Sequence, residues 1–232
     1  MRFALLCLVL FAAPAWAITI DGHIDPAEWQ GARHIADFRQ TQPLTGKPAT
    51  YPVDAWVLAT SKGLAVAMRV TQPAGVPRTR QHVQRDFSDN VDRVNVDLDF
   101  DGDGRTGYNF SITSTGAIYD ATITNENQFN PDWDGIWQHA VTQDAQGWSV
   151  EILIPWYTAP MHAATDGKRT IGIYLDRVIT AIGERVAWPV ANYEKPRFLS
   201  EFERIEVPAY SQTLLAVTPY VSSLYDNVGH QG

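Results

Sequence analysis

The sequence predicts an all-β domain, an antiparallel β-sandwich of the jelly-roll or immunoglobulin-like kind with minimal helix. Apolar residues from Val53 onward recur at every second position, which is the period of a strand rather than a helix. Turns rich in glycine and aspartate separate about ten such segments, as expected for short strands that fold back on one another. Helix is confined to one predicted turn at residues 26–32, which Asp25 can cap.

The clearest element is a hairpin in which residues 53–59 and 64–70 flank a turn at residues 61–63. In the next predicted strand Val94, Val96 and Leu98 share one face. The alternate polar positions of that strand are expected to face water. The remaining predicted strands cover residues 94–100, 108–113, 117–124, 148–154, 169–178 and 185–188.

The chain divides into three segments. Residues 1–17 combine a positive Arg2, a short apolar stretch and an Ala-Trp-Ala cleavage pattern, which predicts a secretory signal peptide. Residues 18–208 carry the strand pattern of the sandwich. Residues 209–232 resume an apolar alternation without a closing element. Because the single cysteine, Cys7, lies in the signal, we expect an exported domain, in the periplasm or at the outer membrane, without disulfides or cysteine-ligated metal.

Composition and motifs exclude several functional classes. The 232 residues include 18 Lys and Arg against 26 Asp and Glu, for a net charge of −8, and no basic cluster is present to bind nucleic acid. The six histidines lack zinc-binding spacing, and the chain has no G-x-S-x-G motif and no phosphate loop. The sequence therefore predicts a protein that is not an enzyme, although it is compatible with assisting a glycoside-hydrolysing system.

An acidic turn predicts a structural calcium ion. Asp99, Asp101 and Asp103, followed by Gly104, match the first half of a calcium-binding loop, in which carboxylate oxygens converge around the ion. The twelfth position is Phe110 and not the usual glutamate, so further carboxylates have to complete the site. The alternative is a solvated Asp-Gly turn that binds no ion.

Seven motifs stand out in the chain after residue 17. They are residues 20–29 (IDGHIDPAEW), 89–99, 107–110 (GYNF), 116–120, 133–137 (WDGIW), 147–156 (GWSVEILIPW) and 184–188 (ERVAW). Together they resemble family 9 carbohydrate-binding modules, and the likeness covers most of the chain after residue 17. The chain is similar to the branch in which the module precedes an outer-membrane-type β-barrel. The resemblance implies a sugar-binding β-sandwich, a frequent structural calcium, a poly- or oligosaccharide as partner, a link to carbohydrate catabolism, and a tail at residues 209–232 that begins a barrel.

A sugar-binding surface needs flat aromatic rings against the C–H face of a pyranose and planar polar groups that reach its hydroxyls. Trp133 lies between carboxylates in a predicted loop, and Trp188 precedes a second loop. Packing at the rim of the core is an equally weighted alternative for both tryptophans. The predicted carbohydrate-binding residues are Trp133, Asp134, Trp137, Trp188 and Arg197.

Two alternative functions stay open. The first is a structural or interaction domain in the periplasm, belonging to an outer-membrane barrel protein that does not bind sugar. The second is a haem-binding relative, in which Met68 and His139 are candidate axial ligands. Met68 also fits the inward pattern of its strand, which favours a core position.

Overall fold

The computed structural model describes residues 18–86, 90–164 and 166–210 of the chain. The predicted signal peptide at residues 1–17 and the tail beyond residue 210 lie outside the described part. Two antiparallel sheets pack face to face and form a β-sandwich, which confirms the predicted fold class. Helix in the described ranges is limited to two 3₁₀ turns, at Thr180–Ile182 and Leu199–Glu201, and no helix there is long and apolar enough to cross a membrane.

Within the described ranges, thirteen strands build the two sheets. The strands are β1 (Arg33–Ile35), β2 (Arg39–Gln42), β3 (Val53–Ala59), β4 (Gly63–Thr71), β5 (Arg93–Asp99), β6 (Thr106–Thr113), β7 (Ile118–Thr124), β8 (Gln128–Asn130), β9 (Gln138–Gln143), β10 (Gly147–Pro155), β11 (Lys168–Ile179), β12 (Glu184–Trp188) and β13 (Glu203–Pro208). One sheet has the order β1-β3-β4-β10-β9. The other has the order β2-β12-β11-β5-β6-β7-β8, and β13 pairs with β11 as its eighth strand.

The apolar core lies between the two sheets. Alternate residues of each strand point inward because successive side chains of a strand face opposite sides. Burying one such Val, Leu, Ile or Phe stabilises the fold by about 1.5–3 kcal/mol. Inward residues of the central strands include Ala55 and Val57 on β3, Val66 and Met68 on β4, Val96 and Leu98 on β5, Phe110 and Ile112 on β6, Val150 and Ile152 on β10, and Ile173 and Leu175 on β11.

The N-terminal segment covers the outer face of the five-stranded sheet. Trp29 packs on Ala65 and Ala67 of β4, so both faces of this strand are buried. The predicted helical turn at residues 26–32 is wrong, because residues 26–31 form turns, although the backbone N–H of Ala27 donates to Asp25 Oδ1 at 2.8 Å. The N-terminal segment therefore covers the middle of β4 on the side away from the core.

One edge of β11 is shared by two strands placed end to end. Residues 175–179 pair with β12 and residues 168–173 pair with β13. Between these two strands the chain leaves the edge and crosses the outer face of the eight-stranded sheet. It is anchored there by a small apolar cluster that consists of Ile123, Tyr174, Ala187, Ala191, Phe198, Leu199 and Phe202.

The predicted strands agree with the observed ones, and the structure adds several that sequence patterns did not indicate. The hairpin at residues 53–70 is confirmed, with Ala55 opposite Met68. Five strands are added. Strands β1, β2 and β8 have three or four residues, which is too short for a readable alternation, and β9 is half-exposed on both faces. The fifth, β13, has six residues and pairs with β11. Beyond Pro208, the ring of Tyr210 still stacks on Trp156 at 6.2 Å.

Candidate functional site

A cleft with a volume of about 690 Å³ opens on the outer face of the eight-stranded sheet. Its floor comes from β5, β6, β11 and β12, and its walls come from residues 129–132 and from the segment between β12 and β13. The lining residues are Asp86, Arg93, Asn95, Asp97, Asn109, Ser111, Tyr119, Phe129, Pro131, Asp132, Asp176, Arg185, Tyr193 and Phe198.

Strand pairing places polar side chains of the floor in two rows. Asp176 pairs with Asn95, and Asn95 pairs with Ser111, which gives a row that crosses three strands. In the adjacent row Asp97 pairs with Asn109. The alternation that sends Val94, Val96 and Leu98 into the core therefore presents their polar neighbours to the cleft.

The floor side chains bind one another in a continuous chain of hydrogen bonds. Asn109 donates its amide to Asp97, and Asn95 donates its amide to Asp176. The Ser111 hydroxyl lies within hydrogen-bonding distance of the side-chain oxygens of both asparagines. These five residues are only 1–4% exposed. Mutual hydrogen bonding fixes their orientation, because a buried polar group without a partner is costly.

The electrostatics of the floor are set by burial and by one ion pair. Burial raises the pKa of Asp97 well above its usual range, and the nearby Asp176 carboxylate raises it further. Arg185 Nη1 lies 2.7 Å from Asp176 Oδ2. Burial alone lowers the pKa of Arg185, but Asp176 and the tyrosines around it outweigh that effect, so the pKa of Arg185 is raised.

Aromatic rings form the wall beside this floor. The Phe129 ring meets the rings of Tyr193 at 6.4 Å and Phe198 at 6.2 Å. Phe129 and Tyr193 are half-buried, so each keeps part of its ring open to the cleft. The guanidinium of Arg185 lies over the ring of Tyr193, 4.6 Å from its centroid. The cleft therefore combines planar polar groups with exposed aromatic carbon.

The predicted binding tryptophans lie outside this cleft. Trp133 packs against Tyr108 and Phe110 with ring centroids 4.9 Å and 5.9 Å apart, and Trp137 lies 5.4 Å from Phe110. Both indoles are half-buried at the rim of the inter-sheet core. Trp188 lies on the core side of β12, and the guanidinium of Arg33 lies over its ring, 4.9 Å from the ring centroid.

The loop that carries Trp133 and Asp134 is pinned by the buried Asp120. This carboxylate accepts hydrogen bonds from the backbone N–H of Gly135 at 2.8 Å and from Trp137 Nε1 at 3.0 Å. The structure therefore brings three of the predicted residues, Trp133, Asp134 and Trp137, into one loop. It gives Trp188 and Arg197 no described contact with that loop, and Arg197 instead donates to Ser200 at 3.2 Å.

Asp134 belongs to a group of three carboxylates with Asp86 and Asp120, whose oxygen atoms lie within 4.8 Å of one another. The guanidinium of Arg85 lies among them, 2.7 Å from Asp120, 2.6 Å from Asp134 and 3.6 Å from Asp86. The positive charge of Arg85 therefore offsets the repulsion between the three carboxylates.

The carboxylates of the predicted calcium turn have partners within the protein. Asp99 accepts the backbone N–H groups of Asp101, Gly102 and Gly104 at 3.1, 2.9 and 2.7 Å. Asp101 pairs with Arg169 and with His162, at 3.3 Å and 2.8 Å, and Asp103 pairs with Arg105 at 3.7 Å. In this arrangement the three carboxylates stabilise the turn and neighbouring cations and do not converge on one point. The calcium ion stays a prediction.

The two candidate haem ligands occupy structural positions. Met68 is completely buried in the core. His139 is half-buried on β9, with Nε2 3.2 Å from the carbonyl oxygen of Gly116, and burial lowers its pKa. A haem axial ligand at Met68 would require the core between the sheets to open.

Comparison with known proteins identifies solved structures with a similar fold. No family sequence model matches the chain, and no curated protein is significantly similar in sequence. A family 9 carbohydrate-binding module from Caldicellulosiruptor kristjanssonii, in complex with cellotriose, aligns with a TM-score of 0.53 and 14% identity, covering 88% of this chain and 96% of that one. The chain shares its fold with family 9 carbohydrate-binding modules.

Two further structures extend this comparison. A family 9 module from the same organism, in complex with glucose, aligns with a TM-score of 0.52 and 14% identity over 86% of this chain and 95% of that one. A candidate carbohydrate-binding protein from Bacteroides uniformis aligns with a TM-score of 0.59 and 11% identity over 76% and 86% of the two chains. What these proteins share with the chain is the fold of the β-sandwich.

The floor residues of the cleft were missed at the level of sequence, where polar positions on strands were interpreted as solvated. A signal was nevertheless present. The outward positions of β5 and β6 carry Asn95, Asp97, Asn109 and Ser111, and they lack the lysines and glutamates that usually cover a solvated strand face. Short amides and hydroxyls on adjacent strands indicate a polar surface that other parts of the chain partly cover.

Proposed function

We propose that the chain is a non-catalytic carbohydrate-binding domain whose ligand, a poly- or oligosaccharide, occupies the cleft on the outer face of the eight-stranded sheet. The observation that carries this proposal is the floor, in which Asn95, Asn109, Ser111 and Asp176 are buried and held in fixed orientations beside an aromatic wall. Saccharide hydroxyls need such an array of oriented donors and acceptors.

The dimensions and chemistry of the cleft suit a sugar. A volume of about 690 Å³ lies within the range of small-molecule sites, roughly 300–1,000 Å³. The amide and carboxylate oxygens of the floor retain lone pairs that can accept ligand hydroxyls. The half-exposed rings of Phe129 and Tyr193 can pack against the C–H face of a pyranose.

The comparisons support the same class of ligand, since structures that share this fold hold cellotriose and glucose. A binding role is also supported by the state of the two floor carboxylates. Asp176 is engaged by Arg185 and Asn95, and Asp97 is buried against Asn109. Both carboxyl groups therefore have hydrogen-bond partners within the protein, which favours a role in binding over one in glycoside hydrolysis.

The cellular setting is part of the proposal. The signal-like residues 1–17 support export to the periplasm or the outer membrane, where a sugar-binding domain would assist carbohydrate catabolism. The tail beyond residue 208 supports the idea of a following outer-membrane barrel in a longer protein. Mass determination of the mature protein in fractionated cells tests the processing site and the location together.

Isothermal titration with a panel of neutral and acidic oligosaccharides tests the binding site. We expect Asn109→Ala and Phe129→Ala to lose affinity because both residues line the cleft. Trp133→Ala, at the rim of the core, serves as the matched control and should retain binding. If the two cleft variants retain binding and Trp133→Ala loses it, the binding site lies in the loop at residues 133–137. Hydrolysis of a saccharide during incubation over hours would contradict a non-catalytic role. If no oligosaccharide of the panel binds, the result would favour an interaction domain.

A further inference from the structure

One end of the cleft carries two arginines in the same row of the sheet. Val178 of β11 pairs with Arg93 of β5 on one side and with Arg185 of β12 on the other. Because adjacent strands lie about 4.8 Å apart, the Cα atoms of the two arginines are separated by about 10 Å. Both residues line the cleft, so their guanidinium groups can approach one ligand group from two sides.

Both arginines keep hydrogen-bonding capacity that the described residues do not use. Arg185 bonds to Asp176 through Nη1, whereas its Nε is buried and has no hydrogen-bond partner. Arg93 donates to the carbonyl oxygen of Val91 at 3.1 Å, and no carboxylate in the described ranges lies within ion-pair distance of it. A guanidinium has five N–H donors in a planar fork, so most donors of Arg93 remain for a ligand.

Arg93 has no ion-pair partner among the described residues at this end of the cleft. Arg185 and Asp176 neutralise each other. Asp97 lies four residues from Arg93 along β5, beyond the row of Asn95, and burial raises its pKa well above the usual range. The pKa of Arg93 is lowered by burial and then by Arg185, because the two cations repel one another, and Asp176 and Asp92 offset only part of this effect. An anion placed between the two cations would relieve that repulsion.

The other acidic residues that line the cleft lie at its rim. Asp86 and Asp132 are both exposed to solvent, and Asp86 is already 3.6 Å from Arg85. Exposed carboxylates act weakly because water screens their charge. They therefore do not neutralise Arg93 at the floor.

We infer that the cleft takes an acidic saccharide, one that contains a uronic acid residue whose carboxylate binds between Arg93 and Arg185. This inference rests on the proposed function and names its substrate class. A carboxylate matches the planar fork of a guanidinium in a bidentate arrangement. The amide row with Asn95 and Ser111 lies two residues along the strands, about 7 Å away, where it can receive the hydroxyls of the same sugar.

Isothermal titration of the mature chain with digalacturonate and with its methyl ester tests the inference. Esterification converts both carboxylates of the disaccharide into neutral methyl esters and leaves its hydroxyl groups unchanged. We expect the acid to bind at least about tenfold more tightly than the ester, as charged hydrogen bonds contribute in partly buried sites. Rising salt concentration should reduce this preference in the wild type while the affinity for the ester stays constant.

Variants assign the preference to Arg93. Arg93→Gln should remove it, and Arg93→Lys should retain part of it because the charge stays and the planar fork is lost. Arg105→Gln is the matched control, since it removes a positive charge from a side chain that is 84% exposed at the turn between β5 and β6. Arg185 is left intact because its loss would leave the buried Asp176 carboxylate unpaired. Melting curves establish that each variant folds.

The outcomes separate this inference from the proposed function. Equal affinity for acid and ester, or a preference that is insensitive to salt and to Arg93→Gln, overturns the inference while saccharide binding stands. Failure of every saccharide, neutral or acidic, to bind the folded wild type overturns both.

Discussion

The indole Nε1–H of Trp29 donates a 2.9 Å hydrogen bond to the buried carboxylate of Glu151 on β10. The other oxygen of this carboxylate accepts the backbone N–H groups of Asp21 and Gly22 at 3.1 Å and 2.9 Å. Burial raises the pKa of Glu151, and these three hydrogen bonds counteract the rise. One carboxylate therefore holds the N-terminal segment against the five-stranded sheet, on the side of the sandwich opposite the cleft.

Glu151→Ala is expected to lower the free energy of unfolding by about 3 kcal/mol or more, since each buried donor left without an acceptor costs about 1–3 kcal/mol. Glu151→Gln keeps an acceptor oxygen and should cost less. Urea denaturation measures the loss, and hydrogen exchange should accelerate across residues 21–29. A variant with normal stability and normal protection would show that the segment is held by its apolar contacts alone.

Trp133→Ala is expected to lower the free energy of unfolding by about 2 kcal/mol or more, because the half-buried indole packs on Tyr108 and Phe110 and its loss leaves a cavity. Ile136→Ala in the same loop is the control. This side chain is 64% exposed, so its removal should change stability by less than about 0.5 kcal/mol. Thermal melts of both variants measure the difference, and equal melts would indicate that Trp133 contributes little to the core.

Asp97→Asn tests the electrostatics of the floor through pH. Because the pKa of Asp97 is higher in the folded state than in the unfolded chain, the folded state holds a proton that the unfolded chain has lost. The free energy of unfolding therefore decreases as pH rises above the pKa that Asp97 has in the unfolded chain, by at most about 1.4 kcal/mol per pH unit. Asparagine does not titrate and can still accept the amide of Asn109.

The stability of Asp97→Asn relative to the wild type should therefore increase between pH 5 and pH 8. Denaturation curves at each pH give this difference directly, and subtraction removes the contributions of the other titrating groups. A difference that stays constant with pH would mean that Asp97 titrates near its ordinary value.

The acidic turn provides a test of the predicted calcium ion. Asp99→Ala should destabilise the chain by about 2–3 kcal/mol even in the presence of a chelator, because three backbone N–H groups lose their acceptor. An ion that binds only the folded state raises the melting temperature. A higher midpoint in calcium than in chelator, abolished in Asp99→Ala, supports the ion, and identical curves contradict it.

Much of the fold follows from local pattern. Strands with a full run of inward apolar residues, such as Val53–Ala59 and Gly147–Pro155, are recognisable because one face is buried and the period of two persists. Short edge strands such as Gln128–Asn130 lack this information, since their pairing is fixed by the neighbouring strand. Their existence depends on tertiary contacts and not on their own residues.

The cleft was harder to predict than the fold, because a cleft forms only where another segment of the chain partly covers a polar strand face. Asn95 and Asn109 are outward residues of their strands, and the sequence alone does not reveal that another segment lies over them. Tryptophans in loops were the more visible signal, yet Trp133 turns its ring toward Tyr108 and Phe110. The inward or outward direction of a loop side chain is set by packing, which no local pattern encodes.

The segment between β12 and β13, which forms a wall of the cleft, interrupts the pairing along one side of β11. It departs after Trp188 and returns at Glu203, so that β12 and β13 lie end to end along the same side of β11 with this segment as an excursion between them. The excursion brings Tyr193 and Phe198 to the wall, whereas the floor is fixed by the ladder beneath it. The walls of the proposed site can therefore change at the exposed positions of this excursion without a shift in the register of any strand, so the selectivity of that site and the folding of the sandwich can vary independently.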